Sequence, residues 1–391
     1  MQFCLILSFI SLARALVLPG PSGPHPVSMV IESLTDKGRP DPYAPSSSPH
    51  PRRVMTSLFL PINSTAVRSE IRTVPYMTPL VAADYGLLAT SVGLPNSTFA
   101  SFEVNTTYVL AGRRCSNTRD RSNSNIQSKK IPLVIFSPGF GQSRLLYGIM
   151  ARSMASEGYA VVTIDHPYDA SIVEFPDGSF VRNANISTDD DAALEQVIKV
   201  RSADVSFVID QLKDAAVFRR AYDQHKTAID FDRIVMYGHS LGGATAATAM
   251  LSDPRILGGV DLDGRFFNPV LETGLDRPFL LLGRQDHSAQ DPTWAALYEK
   301  LRGARVEMSV AGTVHSSFTD YPFIVDALKL PKDAAEQVAG SVSGQRMDTV
   351  VKSVLAAFCE FVFGSKAAPE LLKPGNGPVP ELTVVQADLR K

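Results

Sequence analysis

From residue 131 to residue 362 the chain alternates between short apolar runs and longer segments of helical period. "IPLVIFSPG" is followed by "LLYGIMARSMASEG", "YAVVTIDHP" by "AALEQVIKVRSADVSFVIDQL", and "RIVMYG" by "LGGATAATAML". "GGVDLD", "RPFLLLG" and "RVEMSVAG" extend the strand series, while "TWAALYEKL" and "MDTVVKSVLAAFCEFVFG" extend the helical one. Strands this apolar must be covered on both faces, and amphipathic helices between them supply the cover. The chain therefore reads as α/β, with a mostly parallel central sheet and helices on both faces. In the long helix, Leu194, Val197, Ile198, Val205, Val208, Ile209 and Leu212 share one face. Asp189, Asp190 and Asp191 fall in or before its first turn, where negative charge suits the helix dipole.

The rest of the chain is less regular. Residues 19–53 are rich in Pro, Ser and Gly, with "VSMVIESLTD" and "RVMTSLFLPI" as candidate strands; residues 62–130 show no clear period, and "CSNTRDRSNSNIQSKK" reads as a surface loop. The first fifteen residues, "MQFCLILSFISLARA", are too short to span a bilayer and end in an A-x-A-like site. Residues 1–15 are thus expected to be a signal peptide, residues 16–365 a single catalytic domain, and residues 366–391 a Pro-rich polar tail. No other transmembrane segment is expected, and the protein is expected to be secreted. Asn63, Asn96, Asn105 and Asn185 each begin an N-x-S/T acceptor, consistent with a secreted glycoprotein. With Cys4 removed in the signal, Cys115 and Cys359 remain and could form one disulfide. A net charge of −2 excludes the basic excess expected of a nucleic-acid binder.

Gly238-His239-Ser240-Leu241-Gly242 fits G-x-S-x-G, a weak pattern alone. Its context is informative: a strand runs into it and a small-residue helix leaves it, as a nucleophile elbow requires. There the serine sits on a strained turn whose flanking glycines let backbones pack closely, with its hydroxyl near a helix N-terminus. Acyl transfer also needs amides aimed at the oxyanion. Leu241, after the nucleophile, offers one, and Phe140 in "FSPGFGQS" offers the second.

The chain order for this chemistry is Ser, acid, His. Of seven histidines, His25, His50, His166 and His225 precede Ser240, and His239 adjoins it and is expected to point away. His287 and His315 remain. His315 follows the last strand of the series, where the base is expected; His287 follows the strand before, where the acid is commonly found. Two acids compete. Position favours Asp286 in "LLLGRQDH"; Asp263 in "GVDLDG" stands one strand earlier. Asp261, two residues before it, reads as a structural carboxylate.

"FSPGFGQSRLLYG", "GHSLGG", "VDLDGRFF" and "GTVHSSFTD" together resemble the secreted platelet-activating-factor acetylhydrolase family of lipase-like α/β-hydrolases, particularly its fungal and bacterial relatives, over roughly residues 25 to 365. The resemblance implies the α/β-hydrolase fold and places the acid in an L-D segment like Leu262-Asp263. It selects Asp263 as the triad acid, with Asp286 as the alternative, beside Ser240 and His315, and Phe140 and Leu241 as oxyanion amides. The segment Ser137-Pro138-Gly139 departs from the His-Gly pair of the animal enzymes. The implied activity is that of a serine esterase acting on short-chain or oxidised acyl esters of a small lipid-like substrate. No metal ligand cluster, P-loop or dinucleotide fingerprint is present, so no cofactor is expected. A natural-product tailoring hydrolase or cutinase-type esterase shares these motifs, and a catalytically silent binding protein could share the fold. The intact Ser240/His315 pair argues against the last.

Overall fold

The computed structural model describes residues 15–62, 68–110, 130–364, 369–375 and 379–390. Nearly all of the expected signal peptide, Asn63 and Cys115 lie outside the described residues.

A nine-stranded sheet organises the domain. Its six central strands run parallel, in the spatial order Arg305–Val310, Phe279–Arg284, Ile256–Leu262, Ala228–His239, Lys130–Ser137, Ala160–Asp165. Pro51–Pro61 and then Val27–Pro40 continue it antiparallel at one edge. The pleat assigns alternate side chains to opposite layers: Val134, Phe136, Val235 and Tyr237 face one, and Leu133, Ile135, Ile234 and Met236 the other. The first layer is filled by the helices Gly148–Ser156 and Gly344–Val362, the second by Asp191–Asp214, Leu241–Ser252 and Pro292–Lys300. Val350, Val354 and Phe358 of the last helix are fully buried, at about 1.5–3 kcal/mol of transfer free energy each. Cys359 lies beside them in the core, where burial pushes its thiol up.

Three features differ from the expectations. The segment expected to be a tail outside the domain supplies the strand Leu382–Asp388, which pairs antiparallel with Arg305–Val310 and completes the sheet. Its β-branched "TVV" run carries that pairing, hidden behind a Pro/Gly-rich approach. Within residues 62–130, Ser69–Pro75 and Phe102–Val109 form a small sheet with Leu16–Leu18, and Pro79–Ser91 is a helix. The strand Ser69–Pro75 is mostly exposed, so its sequence lacks a buried period. After His315 come two short helices, Tyr321–Leu328 and Lys332–Ala339, too brief for a period to show.

Candidate active site

The central strands are parallel, so the loops leaving their carboxyl ends gather on one edge, where α/β sheets build their sites. Phe140, Ser240, Asp263, His287 and His315 all follow such strands, and Arg284 ends one.

Ser240 has φ 55° and ψ −124°, a conformation that L-residues avoid and that stores strain at a functional turn. The turn survives because nothing projects from its flanks. A Cβ on Gly238 would lie 2.1 Å from Gly242 C, and one on Gly242 1.9 Å from Ser137 O. The Ser240 amide donates to Leu262 O at 2.9 Å, and the Gly243 amide donates to Ser240 O at 2.9 Å. Between these tied amides, Leu241 and Gly242 N–H open the helix, and neither has an acceptor among the described residues. Phe140 N–H is likewise unpaired, although Gly139 and Gly141 on either side donate to Tyr147 Oη and Asp169 Oδ1. Free amides at the head of this helix and in the Phe140 turn are what an oxyanion site requires.

His315 is about half exposed, and its Nδ1 donates to Asp263 Oδ2 at 2.7 Å. Asp263 is buried and receives three further donors: Arg284 N–H at 2.8 Å and His287 Nδ1 at 2.8 Å on Oδ1, and Arg284 Nη1 at 2.6 Å on Oδ2. Four donors match the four lone-pair sites of a carboxylate. Burial opposes its charge, but the hydrogen bonds from His287 and His315 outweigh it and hold Asp263 well below the usual carboxylate range. Asp286, the alternative acid, is exposed in a left-handed turn before the short helix His287–Gln290 and bonds neither histidine. Geometry thus pairs His315 with Asp263. The loop that chain order assigns to the acid instead supplies three donors to it.

His287 and Arg284 are the partners that sequence reasoning missed. His287 Nε2 stands 3.4 Å from Asp291 Oδ2, an ion-pair approach without hydrogen-bond alignment. Burial works against a charge on His287, yet the bond to Asp263 and the nearby Asp291 carboxylate push it up to about 9. The only available signal was spacing: Arg284 and His287 stand one helical turn apart after an apolar strand.

Asp261 is fully buried and accepts the Gly264 amide at 3.0 Å. A Cβ on Gly243 would lie 1.6 Å from its Oδ1, so the elbow helix rests on this side chain. Burial pushes Asp261 well up from the ordinary carboxylate value. It is the structural carboxylate the sequence suggested.

Beneath the Phe140 loop lies a buried charged stack. Arg201 donates to Pro138 O at 2.6 Å and Gly139 O at 3.3 Å and pairs with Asp169 at 2.5 Å. Ser137 Oγ, His166 Nε2, His166 Nδ1 and Asp204 continue it at 3.0 and 2.9 Å, and Arg52 closes on Asp204. This second Ser-His-Asp set is sealed: all three members are buried, and burial pushes His166 down. It props the loop and has no path to substrate.

An apolar cavity of about 270 Å³ opens beside the His315 loop, walled by Leu88, Leu94, Phe99, Ser316, Tyr321 and Ile324. Among the described residues no helix is long and apolar enough to cross a membrane. Asn96, Asn105 and Asn185 are exposed.

Residues 98–358 match the family model for platelet-activating factor acetylhydrolase, isoform II. The chain is 29% identical to a probable 1-alkyl-2-acetylglycerophosphocholine esterase from Arthroderma benhamiae, over 95% of this chain and 94% of that one. It is 27% identical to the platelet-activating factor acetylhydrolase of Cavia porcellus, over 50% of each chain. Among solved structures, a ferulic acid esterase from Streptomyces cinnamoneus is similar with a TM-score of 0.72 and 29% identity, covering 95% of this chain and 100% of that one.

Proposed function

The chain belongs to the platelet-activating factor acetylhydrolase, isoform II family, and from that premise we propose how its esterase chemistry runs and on what. It is a serine esterase with the α/β-hydrolase fold. Ser240 is the nucleophile, His315 the base and Asp263 the acid, with Phe140 and Leu241 amides as the oxyanion hole. The observation that carries this reading is the 2.7 Å bond from His315 Nδ1 to a saturated Asp263, on the edge that also holds the strained Ser240 turn.

With its proton held on Nδ1 by Asp263, neutral His315 presents a free Nε2 that takes the Ser240 proton as Oγ attacks the ester carbonyl. The tetrahedral oxyanion is held by the two amides, each worth about 3 kcal/mol. Collapse breaks the ester C–O bond, and the departing alcohol takes its proton from His315. Water then attacks the acyl-enzyme, giving its proton to His315; the carboxylic acid leaves and Ser240 recovers its proton.

The substrate proposed is a phospholipid-like ester with a short or oxidised acyl chain. It rests on the names of the relatives and on the limited apolar cavity beside Ser316. A second reading, an aromatic acyl ester, is favoured by the ferulic acid esterase neighbour. A fluorophosphonate probe should label the wild type and spare Ser240→Ala; equal labelling of both would remove Ser240 from the mechanism. Turnover of p-nitrophenyl acetate through palmitate, of phosphatidylcholines with acetyl or palmitoyl at the second position, and of methyl ferulate then ranks the substrates. The acetyl phospholipid should lead; a lead for methyl ferulate selects the second reading.

Secretion as a glycoprotein is proposed on the exposed Asn96, Asn105 and Asn185 acceptors and the apolar N-terminal segment. Glycosidase treatment of protein secreted from a eukaryotic host should lower its mass; no shift would argue against modification.

A further inference from the structure

We infer that Tyr147 and His239 form a positioning relay that ties the oxyanion segment to the loop carrying His315, so that both are held in register with Ser240. The inference rests on the assignment of Ser240, His315 and Phe140 made above. Neither relay residue has a role in that mechanism, and the sequence pattern alone turns His239 away from the site.

The relay has one permitted direction. A backbone N–H can only donate, so Gly139 N–H, 3.1 Å from Tyr147 Oη, makes the phenol oxygen an acceptor. The single phenol proton must then go elsewhere, and His239 Nδ1 stands 2.9 Å away. An Nδ1 that accepts carries no proton, so a neutral His239 bears its proton on Nε2. His239 Nε2 lies 3.0 Å from the backbone oxygen of His315, which can only accept. Four groups are thus joined by three hydrogen bonds whose polarity is set at each end by the backbone. No other proton arrangement of neutral His239 satisfies all three.

The surroundings hold this arrangement. Tyr147 and His239 are 1% and 3% exposed, and an unpaired polar atom there would go unsolvated. Burial, with His315 as a second cause, pushes His239 down to about 3, so it stays neutral wherever the base can work. Tyr147 packs on Phe136 with ring centroids 4.5 Å apart, and His239 packs on His315 at the same separation. Ser240 follows His239 directly in the chain, so the relay touches nucleophile turn, oxyanion segment and base loop at once. Misplacing reacting groups by about 1 Å can cost on the order of a hundredfold in rate, which is the scale a lost register would reach.

Both residues are buried, so the effect belongs in kcat. Tyr147→Phe keeps the ring and removes the hydroxyl; His239→Phe keeps a ring and removes both nitrogens. Each should lower kcat roughly 10- to 100-fold with KM within about twofold of wild type. The double variant should be no worse than His239→Phe alone, because both changes cut one chain. Histidine 15N chemical shifts at neutral pH, measured on wild type and on the inactive Ser240→Ala protein, should show His239 neutral with its proton on Nε2. In Tyr147→Phe that preference should weaken. A cationic or Nδ1-protonated His239 in the wild type would overturn the relay, as would kcat within twofold for both single variants or fully additive losses in the double. The shifts need no turnover, so they decide the relay even if a fully active Ser240→Ala protein sank the triad assignment, and they still decide it if His239→Phe fails to fold.

Discussion

His287 Nδ1 lies 2.8 Å from Asp263 Oδ1, so the carboxylate that holds His315 also holds a second, buried imidazole. The pair of histidines takes one oxygen each, and Arg284 binds both oxygens between them. Asp263 is therefore held at both oxygens independently of His315.

Asp263→Asn keeps the shape but reverses one hydrogen bond and removes the charge facing His315. Its kcat should fall by about 10³–10⁴. Asp286→Asn, in an exposed turn, should stay within about twofold of wild type. Steady-state hydrolysis of p-nitrophenyl acetate compares them, and reversed severities would move the acid to Asp286.

His287→Gln should leave a folded enzyme slowed by about 10- to 100-fold, the scale of one lost bond to a buried charge. It should also change stability against pH. His287 is pushed up to about 9 from an ordinary value near 6.5, so its contribution is complete below about 6.5 and is lost as pH rises through about 9. Thermal midpoints of the wild type should fall across that window, and those of His287→Gln should fall less. Parallel curves would show that His287 carries no charge.

Asp261 titrates in the opposite chemical sense. Burial raises its folded-state value well above that of the unfolded chain, which ionises near pH 4. Its penalty is absent below that pH and grows as pH rises toward the folded value. Asp261→Asn keeps an acceptor for Gly264 N–H without the ionisable proton. It should unfold at higher temperature than wild type at pH 8 and show no advantage at pH 4; an equal shift at both pH values would contradict the assignment.

Leu94 and Ile324 wall the cavity beside Ser316. Ile324→Trp should fill part of it and lower kcat/KM for p-nitrophenyl palmitate at least about tenfold more than for the acetate. Equal losses on both esters would place the acyl chain elsewhere.

The parallel sheet was legible in the chain from its apolar runs; the proposed elbow and base each have a local sign too, a glycine pattern and a place after the last parallel strand. Asp263 was legible only by resemblance, since position in the chain leans toward Asp286. What decides between them is which carboxylate is buried against His315, and that depends on how strand Ile256–Leu262 lies beside Phe279–Arg284. Arg284 and His287 escaped for the same reason: two polar residues in a loop look alike whether they meet water or a carboxylate. The strand Leu382–Asp388 escaped because its partner lies some eighty residues earlier and its burial is slight.

No side chain separates the helix that follows Ser240 from the strand that leads to Phe140; at Gly242 the two main chains meet directly. The spacing between the Ser240 turn and the Phe140 segment is therefore a property of the fold, which surface substitutions cannot retune. If the acyl chain lies in the cavity beside Ser316, its preference is set in part by the walls at Pro79–Ser91 and Tyr321–Leu328. For anyone remodelling this enzyme the consequence is convenient: a library in those two helices varies the cavity while the Ser240 turn and the Phe140 segment keep their spacing.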